Sequence, residues 1–103
     1  MAFKIIYANE VYIDLQEGVD FYNSRKKGLS TRFFDTVKIQ IARIKSNPHG
    51  YQIRYDDVRC APVDIFPYTI HYKIFTETNI IKVIAVFCDY RDPKIWETRT
   101  SDQ

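Results

Sequence analysis

Residues 66–87, FPYTIHYKIFTETNIIKVIAVF, decide the fold. In the first half, apolar and polar side chains alternate, which is the period of a strand whose two faces differ. The side chains that share one face are Tyr68, Ile70, Tyr72 and Ile74. A turn is predicted at residues 77–79, and the almost continuously apolar residues 80–87 fit a strand that is covered on both faces. The stretch therefore predicts two long neighbouring strands, the second of them inside a sheet.

Two shorter strands are predicted just before this pair. Residues 51–55 alternate between apolar and polar side chains, and Asp56-Asp57 offers a tight turn into a strand over residues 58–65. Pro62 lacks the backbone N–H that a strand ladder needs, so it predicts a sheet edge or a bulge there.

The first half of the chain has helical periodicity after one short strand at residues 3–7. Asn9 is the expected N-cap of a first helix that ends at Gly28, and Ser30 or Thr31 is expected to cap a second helix that stops at Asn47-Pro48. The apolar stripe of the first helix is Val11, Leu15, Val19 and Tyr22, and that of the second is Phe34, Val37, Ile41 and Ile44.

These elements predict an α+β fold in the order β-α-α-β-β-β-β. The N-terminal strand is followed by an antiparallel helical hairpin, which packs on a mostly antiparallel sheet of four to five strands. At 103 residues the chain has the length of one domain, residues 1–103.

Composition excludes several classes of protein. The net charge of +2 makes no case for nucleic acid, and Cys60 and Cys88 are too few and too far apart for a disulfide framework. No signal peptide or membrane-spanning stretch is recognisable, so a cytoplasmic location without membrane contact is expected. We find no metal-ligand spacing, phosphate loop or cofactor motif, so we expect neither a metal nor a cofactor.

The order of several short motifs resembles the RelE/ParE toxin superfamily. The motifs are residues 44–48 (IKSNP), 57–59 (DVR), 66–72 (FPYTIHY) and 83–86 (VIAV), followed by Arg91-Asp92-Pro93 and Trp96. The resemblance runs from about Val11 to Arg99, and it implies the toxin half of a type II toxin–antitoxin pair. A cognate antitoxin is then the expected partner. RelE-like members cut ribosome-bound mRNA without a metal, whereas ParE-like members are associated with DNA gyrase.

Four residues are the candidates for RNA cleavage, namely Arg59, His71, Tyr90 and Arg91. Cleavage by the 2′-OH of RNA needs a base, an acid and cations that stabilise the charged phosphorane. Each candidate also has an alternative role: a sheet-face arginine, a structural histidine, a rim aromatic and a local ion pair with Asp92. The resemblance is incomplete here, because Thr69 and Cys88 stand where the RNase branch commonly carries an arginine and a histidine. Non-enzymatic binding is therefore the competing expectation.

Four apolar residues outside the helical stripes are candidates for antitoxin binding, namely Ile13, Phe21, Phe33 and Ile39. A contiguous exposed apolar patch on a monomer usually marks a partner surface. The alternative for Phe21 and Phe33 is that they widen the stripe that faces the core.

Overall fold

The computed structural model describes residues 2–90 of the chain. Its elements are β1 (Lys4–Tyr7), α1 (Asn9–Asn23), α2 (Leu29–Ser46), a 3-10 turn (Pro48–Gly50), β2 (Ile53–Tyr55), β3 (Val58–Pro62), β4 (Tyr68–Phe75) and β5 (Ile80–Cys88). This order confirms the predicted β-α-α-β-β-β-β arrangement.

All five strands form one sheet in the order β1-β5-β4-β3-β2. β1 pairs with β5 in parallel, and the other three pairs are antiparallel. The apolar β5 therefore lies between two strands, as its sequence predicts. Asp56 and Asp57 make the β2–β3 turn with φ of 42° and 64°, a conformation that aspartate tolerates better than most residues.

The helices cover one face of the sheet, which we call the helix face. Val11 and Tyr22 of α1 and Val37 and Ile44 of α2 pack there against Ile70, Tyr72, Ile81 and Val83. Burial of this apolar area from water is the main stabilising term of such a fold. Neither helix within residues 2–90 combines the length and apolarity that crossing a membrane requires.

The opposite face, which we call the open face, carries a smaller buried cluster formed by Val58, Ile84, Ala85 and Phe87. A bulge permits this arrangement, because the β4–β5 register shifts between His71, which pairs with Ala85, and Tyr72, which pairs with Val83. The extra residue, Ile84, joins Ala85 in the cluster on the open face. The continuous apolar sequence of β5 follows from burial on both faces.

The helix boundaries differ from the predicted ones by a few residues. Ala8, not Asn9, is the N-cap of α1, and that helix ends at Asn23 rather than at Gly28. Gly28 instead precedes α2 with φ of 85°, a left-handed conformation that glycine adopts without steric cost. Pro62 is the last residue of β3, beyond the point where β2 pairs with that strand, so its missing N–H disrupts no ladder.

Candidate functional site

A cleft opens where the last turns of α1 meet the start of β4 and the end of β5. It has a volume of about 300 Å³. We call it the terminal cleft, and its lining residues are Glu17, Phe21, Tyr22, Pro67, Tyr68, Cys88 and Tyr90. Four of these seven side chains are aromatic, so the cleft offers mainly apolar surface with one carboxyl group at its wall.

The floor of the terminal cleft is an outer layer of the aromatic core. Tyr22 packs edge-on against Phe66, with ring centroids 4.9 Å apart, and the ring centroids of Phe33 and Tyr68 are 4.8 Å apart. Pro67 fixes the backbone that leads into β4, and its carbonyl oxygen accepts a hydrogen bond from the Asp89 N–H. These contacts make the floor rigid.

The structure brings together two residues that were predicted for different roles. Phe21, a predicted partner-binding residue, is 46% exposed, and its ring lies 4.6 Å from the Arg25 guanidinium carbon. Tyr90, a predicted catalytic residue, is 86% exposed on the same cleft. Two exposed aromatics around a rigid apolar floor are typical of a site that binds a partner.

The terminal cleft contains one buried phenol, that of Tyr22. Burial raises the pKa of the Tyr22 hydroxyl, and the nearby Cys88 and Tyr90 raise it further. A phenol with a raised pKa is a poorer base at neutral pH. Among residues 2–90 there is also no group of three or more His, Cys, Asp or Glu that could hold a metal ion.

Arg59 lies away from the terminal cleft. Its side chain forms hydrogen bonds with the segment that connects α2 to β2. Its guanidinium donates to the backbone carbonyl oxygen of Tyr51 at 2.5 Å and to that of His49 at 3.5 Å. It pairs in register with Tyr72, whereas Tyr68 at the cleft lies four residues earlier on β4. Four residues of a strand span about 13 Å, so Arg59 and Tyr90 do not share a site.

The prediction that His71 is catalytic is contradicted by its burial. Its side chain is 0% exposed on the open face, with Nδ1 2.9 Å from the Tyr55 hydroxyl and 3.5 Å from Cys60 Sγ. Its ring also packs edge-on against Phe87. A fully enclosed imidazole cannot reach a substrate, and the alternative structural role holds. The fourth candidate, Arg91, lies outside the described residues.

Thr69 has a structural partner as well. Its hydroxyl donates to the Asp89 carboxylate at 2.6 Å, which ties the start of β4 to the residue that follows β5. Thr69, which stands where the RNase branch commonly carries an arginine, therefore has a structural role here.

The prediction for Phe33 as a partner-binding residue is wrong, because its side chain is 0% exposed in the core. The buried stripe of α2 is Phe33, Val37, Gln40 and Ile44. Phe34, which was assigned to the stripe, is 40% exposed instead. The alternative, in which Phe33 faces the core, therefore holds.

Ile13 and Ile39 are exposed, at 60% and 52%. Ile13 precedes Phe21 by eight residues, so it lies on the same face of α1, two turns earlier. Ile39 is on α2, five residues from the core residue Ile44, and it is absent from the lining of the terminal cleft. Ile13 and Phe21 thus lie in one row of α1 that leads into the cleft, with Glu17 between them, and Ile39 is separate from this row.

A second and more open groove of about 500 Å³ lies between β1 and α2. Phe3, Ile5 and Ile41 contribute apolar surface, and Lys38 and Lys45 also line it. None of the predicted site residues is there, so we regard the terminal cleft as the candidate site.

Two buried polar residues were missed by sequence reasoning, although each lies within a helical stripe. Asp14 accepts a hydrogen bond from the Val86 N–H at 3.0 Å, and Gln40 donates to the Pro62 carbonyl oxygen at 2.9 Å. Each follows an apolar core residue by three positions, a spacing that places it on the buried face. That spacing was the available signal for finding them.

Comparison with known proteins finds likeness in structure only. No protein-family model and no curated protein sequence matches the chain. The chromosomal ParDE toxin–antitoxin system of P. aeruginosa aligns with a TM-score of 0.71 at 12% identity, over 82% of this chain and 94% of that one. The isolated RelE toxin of E. coli aligns with a TM-score of 0.62 at 16% identity, over 99% of this chain and 100% of that one.

The RelE-RelB complex of Pyrococcus horikoshii OT3 is more distant, with a TM-score of 0.50 at 16% identity over 89% of this chain and 100% of that one. This chain is thus similar in fold to these toxin structures, at 12–16% sequence identity. The chain has the RelE/ParE toxin fold.

Proposed function

We propose that this chain is the toxin component of a bacterial type II toxin–antitoxin module. It inhibits growth of the cell until a cognate antitoxin binds it. The observation that carries the proposal is the likeness to E. coli RelE over 99% of this chain and 100% of that toxin. The P. aeruginosa ParDE system and the Pyrococcus horikoshii RelE-RelB complex, both similar in fold, support a protein partner for this chain.

The antitoxin contacts the row that leads from Ile13 to Phe21 and inserts an apolar side chain into the terminal cleft. Support comes from the exposure of both side chains and from the rigid aromatic floor beneath Tyr90. Well-packed pockets with aromatic walls are where binding energy concentrates in protein interfaces.

Growth inhibition proceeds by binding a target rather than by cutting RNA. Two of the four candidate catalytic residues have structural partners: Arg59 donates to loop carbonyls, and His71 is enclosed beside Tyr55. Cleavage would need a base, an acid and cations at one point, and Arg59 is far from Tyr90. DNA gyrase is the target to test first, and metal-independent cleavage of ribosome-bound mRNA is the alternative.

Expression of the chain alone and together with the neighbouring reading frame tests the proposal. We expect growth to stop in the first culture and to continue in the second, with the two proteins purifying as a complex. Continued growth in the first culture, without any complex in the second, would contradict the proposed toxin function. A complex without growth arrest would identify a decayed toxin that retains only antitoxin binding.

Charge substitution in the terminal cleft tests the site itself. Phe21→Glu replaces the exposed Phe21 ring with a carboxylate, and we expect it to reduce the antitoxin recovered in the complex at least tenfold. Tyr12→Glu is the matched control, because Tyr12 is also an exposed aromatic on α1 but points in the opposite direction, nine residues or 180° away. Equal losses in the two variants would place the antitoxin elsewhere.

A supercoiling assay with purified gyrase separates the two targets. Inhibition of supercoiling by the isolated chain supports the gyrase target, whereas unaffected supercoiling together with cut transcripts supports the RNase alternative.

A further inference from the structure

Ile65 is an unusual residue for its place in the chain. It is the centre of a three-residue turn in which the Phe66 N–H donates to the Asp64 carbonyl oxygen at 2.8 Å, and its φ is 73°. A positive φ at the centre of such a turn is the mark of a γ-turn of the rare and strained form. A β-branched side chain is especially unfavourable there, because it crowds the backbone. Glycine or asparagine would adopt the same conformation at lower cost.

Burial does not account for Ile65 either. Its side chain is 77% exposed, although Val63 and Phe66 in the same segment belong to the core. The strained conformation is therefore not repaid by packing within the chain. Backbone strain persists where the surrounding structure enforces it, and it is concentrated at functional positions. An apolar side chain that is held out in water in this way is suited to contact with another molecule.

The turn that carries Ile65 is fixed to α2. The Arg43 guanidinium donates to the Asp64 carboxylate at 2.8 Å, and the Gln40 side-chain amide donates to the Pro62 carbonyl oxygen at 2.9 Å. These contacts hold the turn in place before any partner arrives. Little conformational entropy is then lost when Ile65 is covered, which favours binding.

Ile39 extends this exposed surface onto α2. It precedes Arg43 by four residues, so the two side chains are neighbours on the helix surface. Arg43 and Asp64 form an ion pair, yet both side chains are more than half exposed. We call the surface formed by Ile39, Arg43, Asp64 and Ile65 the turn patch. None of these residues lines the terminal cleft.

The charges of the turn patch indicate what covers it. One cation and one anion lie side by side, so their charges cancel and a polyanion such as nucleic acid gains little from the patch. A patch that holds both signs is complementary to itself. A two-fold axis that passes between Arg43 and Asp64 places each of these charges opposite one of the other sign on a second copy of the chain.

We propose that a second copy of this chain covers the turn patch in a two-fold symmetric dimer. Arg43 of each copy lies opposite Asp64 of the partner subunit, and Ile65 of each copy packs against Ile39 of the partner subunit. An interface centred on four side chains a copy is small, so the dimer is reversible, with a Kd on the order of 10 μM. This dimer does not depend on the toxin function.

Sedimentation of the isolated full chain tests the proposal without an antitoxin or a target. We expect the sedimenting species to change from monomer to dimer as the concentration rises from about 1 to about 200 μM. The dimer should weaken as salt rises from about 50 to about 500 mM, because exposed ion pairs are screened.

Ile65→Asn separates the dimer contact from the stability of the monomer. We expect it to weaken the dimer at least tenfold while the melting temperature at about 1 μM, where monomer prevails, stays the same or rises, since asparagine tolerates a positive φ. The matched control is Ile53→Asn on the edge strand β2, which replaces another exposed isoleucine and should leave the dimer intact. A lower melting temperature for Ile65→Asn would show that Ile65 serves the fold of the monomer, which would overturn the proposal.

Charge variants test the contact between copies. Arg43→Asp leaves two carboxylates in the turn patch and Asp64→Arg leaves two guanidinium groups, so we expect each variant alone to stay monomeric. An equimolar mixture of the two should form a heterodimer, because opposite charges then face each other again. Neither variant regains its own ion pair in the mixture, so this result cannot come from repair within one chain.

Three further results would each overturn the proposal. The first is a chain that stays monomeric at about 200 μM. The second is an equal loss of dimer in Ile65→Asn and Ile53→Asn, and the third is a mixture of the charge variants that stays monomeric although the original chain dimerises. If the chain is monomeric and Ile65→Asn instead reduces the antitoxin recovered in the complex, the turn patch belongs to the antitoxin. A dimer in a chain that does not stop growth would contradict the toxin function and leave this inference standing.

Discussion

Gly18 and Phe33 set the closest approach between α1 and the aromatic core. A Cβ atom at residue 18 would lie 2.6 Å and 2.7 Å from two ring carbons of Phe33, a side chain that is wholly buried. Real Cβ atoms do not come this close, so the ring would have to move into a packed core.

We therefore expect Gly18→Ala to lower the free energy of unfolding by about 1–3 kcal/mol, despite the better helix propensity of alanine. Urea unfolding measures the change. A double-mutant cycle with Phe33→Leu is the control, because a smaller side chain at residue 33 should relieve part of the cost of Gly18→Ala. Unchanged or increased stability of Gly18→Ala would show that the contact is not tight.

Asp14 is a residue whose role depends on the topology of the sheet. β1 pairs with residues 80–83 of β5 only, so the Val86 N–H has no strand partner on that side. The Asp14 carboxylate accepts its hydrogen bond instead, at a site where Asp14 is 4% exposed. An orphaned buried N–H costs about 1–3 kcal/mol.

Accordingly, Asp14→Ala should lower the free energy of unfolding by about 1–3 kcal/mol and speed amide hydrogen exchange at Val86. Asp14→Asn retains an acceptor oxygen and should protect the Val86 amide better than the alanine does. If both variants left exchange at Val86 as slow as before, the hydrogen bond would not be the protecting contact.

The Tyr72 hydroxyl makes the free energy of unfolding depend on pH in the alkaline range. It donates to the Pro48 carbonyl oxygen at 2.6 Å, and burial, partly offset by Arg59, raises its pKa from 10.0 to about 12. The fold favours the neutral phenol, so this contribution to stability is complete below pH 10 and is lost as pH rises towards about 12.

Tyr72→Phe should flatten the decline of the unfolding free energy between pH 10 and about 12. At neutral pH it should cost about 1 kcal/mol, the value of a typical hydrogen bond. Burial also raises the pKa of the Cys60 thiol to about 11, so the comparison is best made in a Cys60→Ala background. A decline that is equally steep with and without the Tyr72 hydroxyl would contradict the assignment.

At the scale of elements, the β4–β5 pair carries a like-charge contact that opposes folding. Lys73 and Lys82 are directly opposed, and like charges in that position destabilise a sheet. We expect Lys73→Glu to raise the free energy of unfolding by roughly 0.2–1 kcal/mol at low salt, with a smaller gain at high salt.

Lys27→Glu is the control for that variant, because it changes the same charge in the exposed α1–α2 connection and should have almost no effect. A loss of stability in Lys73→Glu would show that the two ammonium groups do not repel each other.

The strands were predictable from the sequence because their periodicity is local. Alternation in residues 68–74 places Ile70 and Tyr72 on the helix face, and the continuous run of β5 indicates burial on two sides, both of which the structure confirms. The buried stripe of α2 was harder to predict, since the adjacent residues Phe33 and Phe34 fit the helical period equally well. Packing against Gly18 and against the Tyr22 and Phe66 rings selects Phe33 for the core.

The candidate site was only partly predictable, because it depends on contacts between elements that are distant in the sequence. Phe21 and Tyr90 were each identified from residue type, but the sequence does not show that the end of α1 meets the end of β5. His71 and Arg59 looked chemically capable, and their partners Tyr55 and Tyr51 come from strands and loops that only the tertiary fold brings near.

At the scale of the whole molecule, one surface carries the antitoxin binding that we propose. That surface is the terminal cleft, at the end of the sheet where β4 begins. We propose inhibition by binding rather than by RNA cleavage, since His71 is buried and Arg59 donates to loop carbonyls.

Growth and transcript ends measured together in one culture, after expression of the chain alone, test this claim most directly. We expect growth to stop while the 5′ ends of abundant transcripts stay the same as before induction. Growth arrest with new, chain-dependent 5′ ends would contradict the binding mechanism. Growth that continues unchanged would contradict the toxin function itself.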